Sequence, residues 1–173
     1  MNVYFPIIGK INDEKKTLFK KNYDSLIIYP EDKLISYIDS KGGVSNIASY
    51  LAERISELPM PTIAYGGWVS SAAALIFSSF KERFAFEDSK FLIHSCIPPK
   101  GMENDKIFKE YDLQVWNFMS KRMKISAKEL EIIAKKDKRI SVKEALEVGL
   151  VHEIIKGSYK NYSEVLTKRG LML

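Results

Sequence analysis

A sequence of 173 residues in which strand-like and helical stretches alternate predicts an α/β fold with parallel strand pairing. Two further observations support it. No internal repeat or low-complexity stretch breaks the alternation, and at roughly 150 residues per domain the chain, residues 1–173, is one domain long. Apolar residues make up 46% and charged residues 28%, an ordinary globular balance that excludes collagen-like and disordered classes.

Val3 to Ile8 and Leu34 to Ile38 are short β-branched or aromatic runs. They are bounded by Gly9 on one side and by Pro30 and Gly42-Gly43 on the other, and read as strands. Val44, Ile47, Ala48, Leu51, Ile55 and Leu58 then recur at intervals of three and four, which predicts an amphipathic helix ended by Pro59 and Pro61. Thr62 to Tyr65 resumes a strand, which Gly66-Gly67 is expected to break. The run after Ser71, Ala-Ala-Ala-Leu-Ile-Phe, reads as a short buried helix. Arg83 to Phe86 and Phe91 to His94 are expected as two strands joined by a turn at Glu87, Asp88 and Ser89. A long helix is expected from about Asn104 to Met123, with Ile107, Tyr111, Val115, Phe118 and Met119 on one face and Leu113 and Trp116 off it. Shorter helices at about Ser126 to Lys135 and Ser141 to Val148, and a strand around Ile154, complete the pattern.

Composition narrows the functional classes. The longest apolar run, Ala72 to Phe77, is far short of the roughly 20 residues of a membrane helix, and Met-Asn-Val-Tyr-Phe-Pro does not resemble a signal peptide. A cytoplasmic, non-membrane protein is the expectation. Lys and Arg number 27 against 22 Asp and Glu, a net charge of +5, but the lysines are spread over the chain rather than gathered in one block, so no nucleic-acid partner is expected. With one cysteine, Cys96, and two histidines there is no intramolecular disulfide and too small a donor set for a Cys/His zinc site; no metal or other cofactor is expected.

Three local features bear on chemistry. Gly67-Trp68-Val69-Ser70-Ser71 lies between a strand and an apolar helix, where a serine hydroxyl meets the positive end of the helix dipole and the Ala72 amide faces a developing oxyanion. An N-cap serine is the commoner occupant of such a position. His94 ends the apolar run Phe91-Leu92-Ile93, a place where buried histidines are usually structural. Asp137 stands in the polar stretch Lys135-Lys136-Asp137-Lys138-Arg139. Together they offer a nucleophile, a base and an orienting carboxylate in the chain order Ser, His, Asp, although spacing alone does not bring them together.

Four segments carry a family resemblance: Tyr37-Ile-Asp-Ser-Lys-Gly-Gly43, Gly67-Trp-Val-Ser-Ser-Ala-Ala-Ala74, Arg83 through Ser89 to His94, and Asp137-Lys-Arg-Ile-Ser-Val-Lys-Glu-Ala-Leu-Glu-Val-Gly-Leu-Val151. In this order, over about Tyr4 to Ile155, the sequence resembles the proteolytic subunit of the Clp protease. The resemblance implies a ClpP/crotonase-like spiral of β-β-α units with a protruding handle helix, the handle region falling at about residues 95–123. It implies a serine peptidase with Ser71 as nucleophile, His94 as general base and Asp137 as carboxylate, and the amides of Gly43 and Ala72 as the oxyanion hole. Ser70 is the rival nucleophile, since counting from Gly66 instead of Gly67 selects it.

The implied partners are peptide or unfolded-protein substrates and further copies of the chain in a homo-oligomeric ring. Coupling to an AAA+ unfoldase does not follow from the triad alone, because the family's docking segment has no counterpart ahead of the first strand. Lys41 replaces the family's Pro, Asp39 its Asn, and His152 the Asp after Gly-Leu-Val. Two other functions fit the same fold: a catalytically silent partner subunit or scaffold, and an acyl-CoA enzyme of the crotonase superfamily.

Overall fold

The computed structural model describes residues 2–25, 31–103 and 105–168. In chain order its elements are β1 (Asn2–Tyr4), β2 (Ile7–Ile8), α1 (Asp13–Ser25), β3 (Lys33–Ser40), α2 (Ser45–Glu57), β4 (Thr62–Ser70), α3 (Ala72–Ser78) and β5 (Glu82–Leu92). They continue with α4 (Lys106–Ser120), α5 (Ala127–Lys135), α6 (Val142–Glu147), β6 (Glu153–Ile155), a 3-10 turn (Tyr159–Asn161) and α7 (Tyr162–Lys168). The described strands form one sheet in the order β1-β3-β4-β5-β6, β2 also pairing with β3, and every pairing is parallel. No helix among the described residues is long and apolar enough to cross a membrane.

Strand periodicity sorts the core onto both sheet faces. Leu34, Ile38, Ala64, Ala85 and Phe91 face the cluster built with α2 and α3, whereas Ile35, Tyr37, Ile63, Tyr65 and Phe86 face Ile155, Tyr159 and Leu166. That second face is closed by the Tyr37 and Tyr162 rings, stacked at 3.6 Å, and by the Tyr37 hydroxyl donating to the Tyr159 carbonyl. Helices α5 and α6 each begin with a capping box, Ser126 with Glu129 and Ser141 with Glu144.

Four expectations need correction. Pro6 has no amide to donate, so the strand expected over Val3 to Ile8 is split into β1 and β2. Gly66-Gly67 does not end β4. A Cβ on Gly67 would stand 2.5 Å from the Tyr37 hydroxyl, so glycine here permits close packing within the strand. Residues 82–92 are one strand rather than two; between the pairs Gly66↔Ala85 and Trp68↔Lys90 the register advances two residues on β4 and five on β5. The surplus is held by Ser89, whose hydroxyl accepts from the Phe86 amide and donates to the Gly66 carbonyl. On α4, Trp116 is buried whereas Ile107 is 60% exposed, the reverse of their expected roles.

Helix α1 departs from the expected pattern: its sequence is Lys-rich, and Phe19 is the buried one among its described side chains, edge-on to Phe5 at 5.1 Å. Pro30 and Asn104, named as boundaries, lie outside the described residues.

Arg83, at the start of β5, is buried. Its guanidinium donates to the carbonyls of Phe80 (2.7 Å), Leu150 (2.8 Å), Gly149 (2.9 Å) and Arg122 (2.6 Å), with a longer bond to Ser78 (3.4 Å). Burial, helped by the Arg122 charge, lowers its pKa to about 10, still far above neutrality, so the group is a buried cation whose partners are backbone dipoles. Arg83→Met keeps the stem and strips the donors from all these carbonyls. It is expected to lower the unfolding free energy by more than about 3 kcal/mol, read as a fall in the urea midpoint at unchanged slope.

Candidate active site

Because every strand pairing is parallel, the carboxyl ends of the strands open on one edge of the sheet, where ligands of open α/β folds bind. The three segments singled out in the sequence all lie there. Gly42-Gly43 follows β3, Ser71 follows β4, and His94 follows β5.

Ser71 is the N-cap of α3 with φ 58° and ψ −127°, a conformation natural to glycine. Its amide donates to the Leu92 carbonyl at 2.8 Å and its carbonyl accepts from the Ala74 amide at 2.8 Å, so both neighbours hold it in place. Its hydroxyl makes no capping hydrogen bond. The N-cap explanation therefore lacks the bond that would justify it. Ser70 is different: it is buried, and its Oγ accepts from the Trp68 indole at 2.7 Å.

The glycine turn rests against this elbow. A Cβ on Gly42, which has φ +103°, would fall 2.8 Å from the Ser71 Cβ and 3.2 Å from the Ala72 nitrogen. A Cβ on Gly43 would collide with the Ile11 backbone, 2.1 Å from its oxygen, so this glycine is fixed by protein contact rather than by room left for a ligand. The Ile11 amide donates to the Gly42 carbonyl and the Val44 amide to the Ile11 carbonyl, while the exposed Gly43 amide has no acceptor among the described residues. Ala72, first in its helix, likewise has an amide without an intrahelical acceptor.

Ser71 and His94 line one small cavity of about 30 Å³ together with Ala72, Cys96, Tyr111 and Asp112. The segment after His94 is tied to its neighbours: the Asp112 carboxylate accepts from the Cys96 amide at 2.8 Å, and the Tyr111 hydroxyl donates to the Ser45 carbonyl at 3.0 Å. Burial raises the Asp112 pKa, opposed by hydrogen bonds from the Cys96 amide and the Ser95 side chain and by attraction to His94. Asp137 is not among the residues lining this cavity. It is exposed, at φ 45°, just beyond α5, with its amide on the Ala134 carbonyl. Three residues later the Ile140 amide pairs with the Phe91 carbonyl, docking the segment on β5. No hydrogen bond among the described residues joins Ser71, His94 and Asp137.

Asp112 shares the cavity with His94 and is attracted to it, and the sequence did not single it out because it is one polar residue of an amphipathic helix. The only clue available was its place in the handle region. No cluster of three or more His, Cys, Asp or Glu side chains suited to a metal occurs among the described residues.

Comparison with solved structures agrees with this architecture. ClpP1 from Listeria monocytogenes matches with a TM-score of 0.78 at 24% identity, over 89% of this chain and 91% of that one. A mutant of that ClpP1 matches with a TM-score of 0.76, also at 24% identity and over 89% and 91% of the two chains. These likenesses establish the fold. The model of the Clp protease family matches residues 7–158, which takes in both strands and helices around Ser71 and His94, and on that match the chain belongs to the Clp protease family.

Proposed function

We propose that the protein is a serine endopeptidase that hydrolyses peptide bonds through an acyl-enzyme, with Ser71 as nucleophile and His94 as general base. One observation carries the reading: Ser71 holds a strained backbone at a helix start, its hydroxyl caps nothing, and it opens on the same cavity as His94. His94 takes the hydroxyl proton as Ser71 Oγ attacks the substrate carbonyl, then returns it to the leaving amine; water repeats the sequence to release the acid. The free amides of Gly43 and Ala72 stabilise the oxyanion. Extended peptide adds as a strand beside the segment after Gly43 and the segment after His94, where main-chain pairing serves unfolded substrates of many sequences. The nucleophile-to-base bond of such sites tightens in the substrate complex.

Asp137, exposed and with no side-chain hydrogen bond among the described residues, favours a second reading, a catalytically silent subunit of the same fold. A fluorophosphonate probe with native mass measurement separates the two. Under the peptidase reading Ser71 is labelled and the label is lost in Ser71→Ala. The silent reading predicts no labelling. Retention of label in Ser71→Ala with loss in Ser70→Ala moves the nucleophile by one residue.

For assembly, the exposed Ile97 (77%), Ile107 (60%) and Leu113 (52%) in the handle region support burial against further copies of the chain in a ring. Sedimentation at micromolar concentration is expected to give an oligomer, and a monomer defeats this part of the proposal.

Two sets of variants test the chemistry. Ser71→Ala is expected to lower kcat by at least about 10³-fold. Ser71→Gly, equally inactive, is expected to be more stable than Ser71→Ala by about 1–3 kcal/mol in urea unfolding, since it alone relieves the positive φ. Asp112→Asn and Asp137→Asn identify the orienting carboxylate. The one that serves His94 lowers kcat by roughly 10²–10⁴-fold, whereas the other leaves it within a few-fold. Asp112→Asn keeps an acceptor for the Cys96 amide. Because the raised pKa of Asp112 disfavours its ionised form on folding, its contribution is most favourable at acid pH and is lost as pH rises through the folded pKa, so the asparagine variant is no less stable at neutral pH.

A further inference from the structure

Beside the Ser71 elbow, the ends of β2, β3 and β4 frame a second and larger cleft of about 530 Å³. Trp68 and Gly42 are part of its wall, and Gly42 packs directly on Ser71, so the cleft adjoins the proposed nucleophile. The Trp68 ring is fixed by its indole N–H on Ser70 Oγ and by its backbone amide on Asp39 Oδ1 at 3.2 Å. Around it stand three cations from three separate segments. Lys41 Nζ, from the turn after β3, is 4.7 Å from the ring centroid; Lys90 Nζ, from β5, is 4.8 Å away; and Arg139 Cζ, from the segment before α6, is also at 4.8 Å. Lys10 lines the same cleft.

One ring attracts each cation by only about 0.5–1 kcal/mol at an exposed site, while the three repel one another. None of the three has an ion-pair partner among the described residues. The carboxylate in the cleft lining is Asp39, a single negative charge engaged by the Trp68 amide. The excess of positive charge next to an apolar ring and an open cleft is the environment that a carboxylate on a short aliphatic stem would complete.

We propose that this cleft is a specificity subsite for a peptide carboxylate flanking the scissile bond, with Lys10 and Lys41, which line it, as its recognition groups, Trp68 as its floor, and Lys90 and Arg139 beside the ring adding to the positive field. The inference rests on the peptidase reading for the role of the cleft, but its binding chemistry is measurable without turnover. A glutamate or aspartate side chain and a free C-terminal carboxylate share that chemistry, and the test separates them.

Three short peptides of one sequence serve as probes of the Ser71→Ala protein: one with a central Glu and blocked ends, one with Gln in its place and blocked ends, and the Gln peptide with a free C-terminus. Calorimetry is expected to show the Glu peptide bound at least about tenfold more tightly than its blocked Gln counterpart, the range of a charge-assisted hydrogen bond. The preference shrinks between about 0.1 M and about 1 M salt, as the screening length falls from roughly 10 to 3 Å. It falls to within about twofold in Lys10→Met/Lys41→Met and weakens in Arg139→Met, each checked for native circular dichroism. A preference shared by the free-terminus peptide but not the Glu peptide assigns the subsite to a chain end. Equal affinities for all three, a Glu preference that survives both variants, or no binding at millimolar peptide overturns the proposal. Fluorophosphonate labelling of the wild type scores the peptidase reading separately: label without carboxylate preference removes only this inference, and carboxylate preference without label removes only the hydrolytic function.

Discussion

A single buried guanidinium organises the end of the sheet opposite the site. Arg83 reaches the end of α3 at Phe80, the turn after α4 at Arg122, and the Gly149-Leu150 turn after α6, all through carbonyl oxygens. Its own strand, β5, leads to His94, and α3 begins at Ser71. One side chain thus joins the far ends of the two elements whose near ends carry the proposed nucleophile and base. No carboxylate among the described residues pairs with the charge, so its cost is met by the number and direction of the dipoles around it, an arrangement that survives only if every contributing turn is in place.

From that anchor the parallel topology does the rest. Strands that all run the same way collect their outgoing turns along one edge, and each turn there has a separate structural task. The turn after β3 bonds with Ile11, the turn after β4 stores backbone strain at Ser71, and the segment after β5 is tied through Cys96 to α4. The chemistry proposed here depends on three independent attachments rather than on one rigid loop. This gives α4, which supplies Asp112, a hold on the backbone two residues beyond the histidine.

What the sequence disclosed and withheld follows from the range of the interactions involved. Helices α2 and α3 were legible because their apolar spacing is local, and the places of Ser71 and His94 just beyond strands because each follows an apolar run. Gly66-Gly67 misled because a break and a close approach use the same residue, and only the Tyr37 hydroxyl across the sheet distinguishes them. The joining of residues 82–92 into one strand depends on Ser89 bonding to Gly66, 23 positions away. Asp112 was invisible for the same reason: its relation to His94 exists only once α4 has docked. Asp137 was chosen by motif, and the fold leaves it exposed beside the segment that pairs with β5.

The contact between Ile11 and Gly43 joins the beginning of the chain to the proposed oxyanion amide. Ile11 is buried, bonds in both directions to the glycine turn, and leaves no volume for a methyl group between the two backbones. The backbone around Ile11 therefore acts as a clamp on where the Gly43 amide points. A fusion joint, crosslink or proteolytic nick placed ahead of Ile11 would be felt at the reaction centre as a change in where an amide points, and an apparently remote edit would carry the signature of a lesion in the site itself.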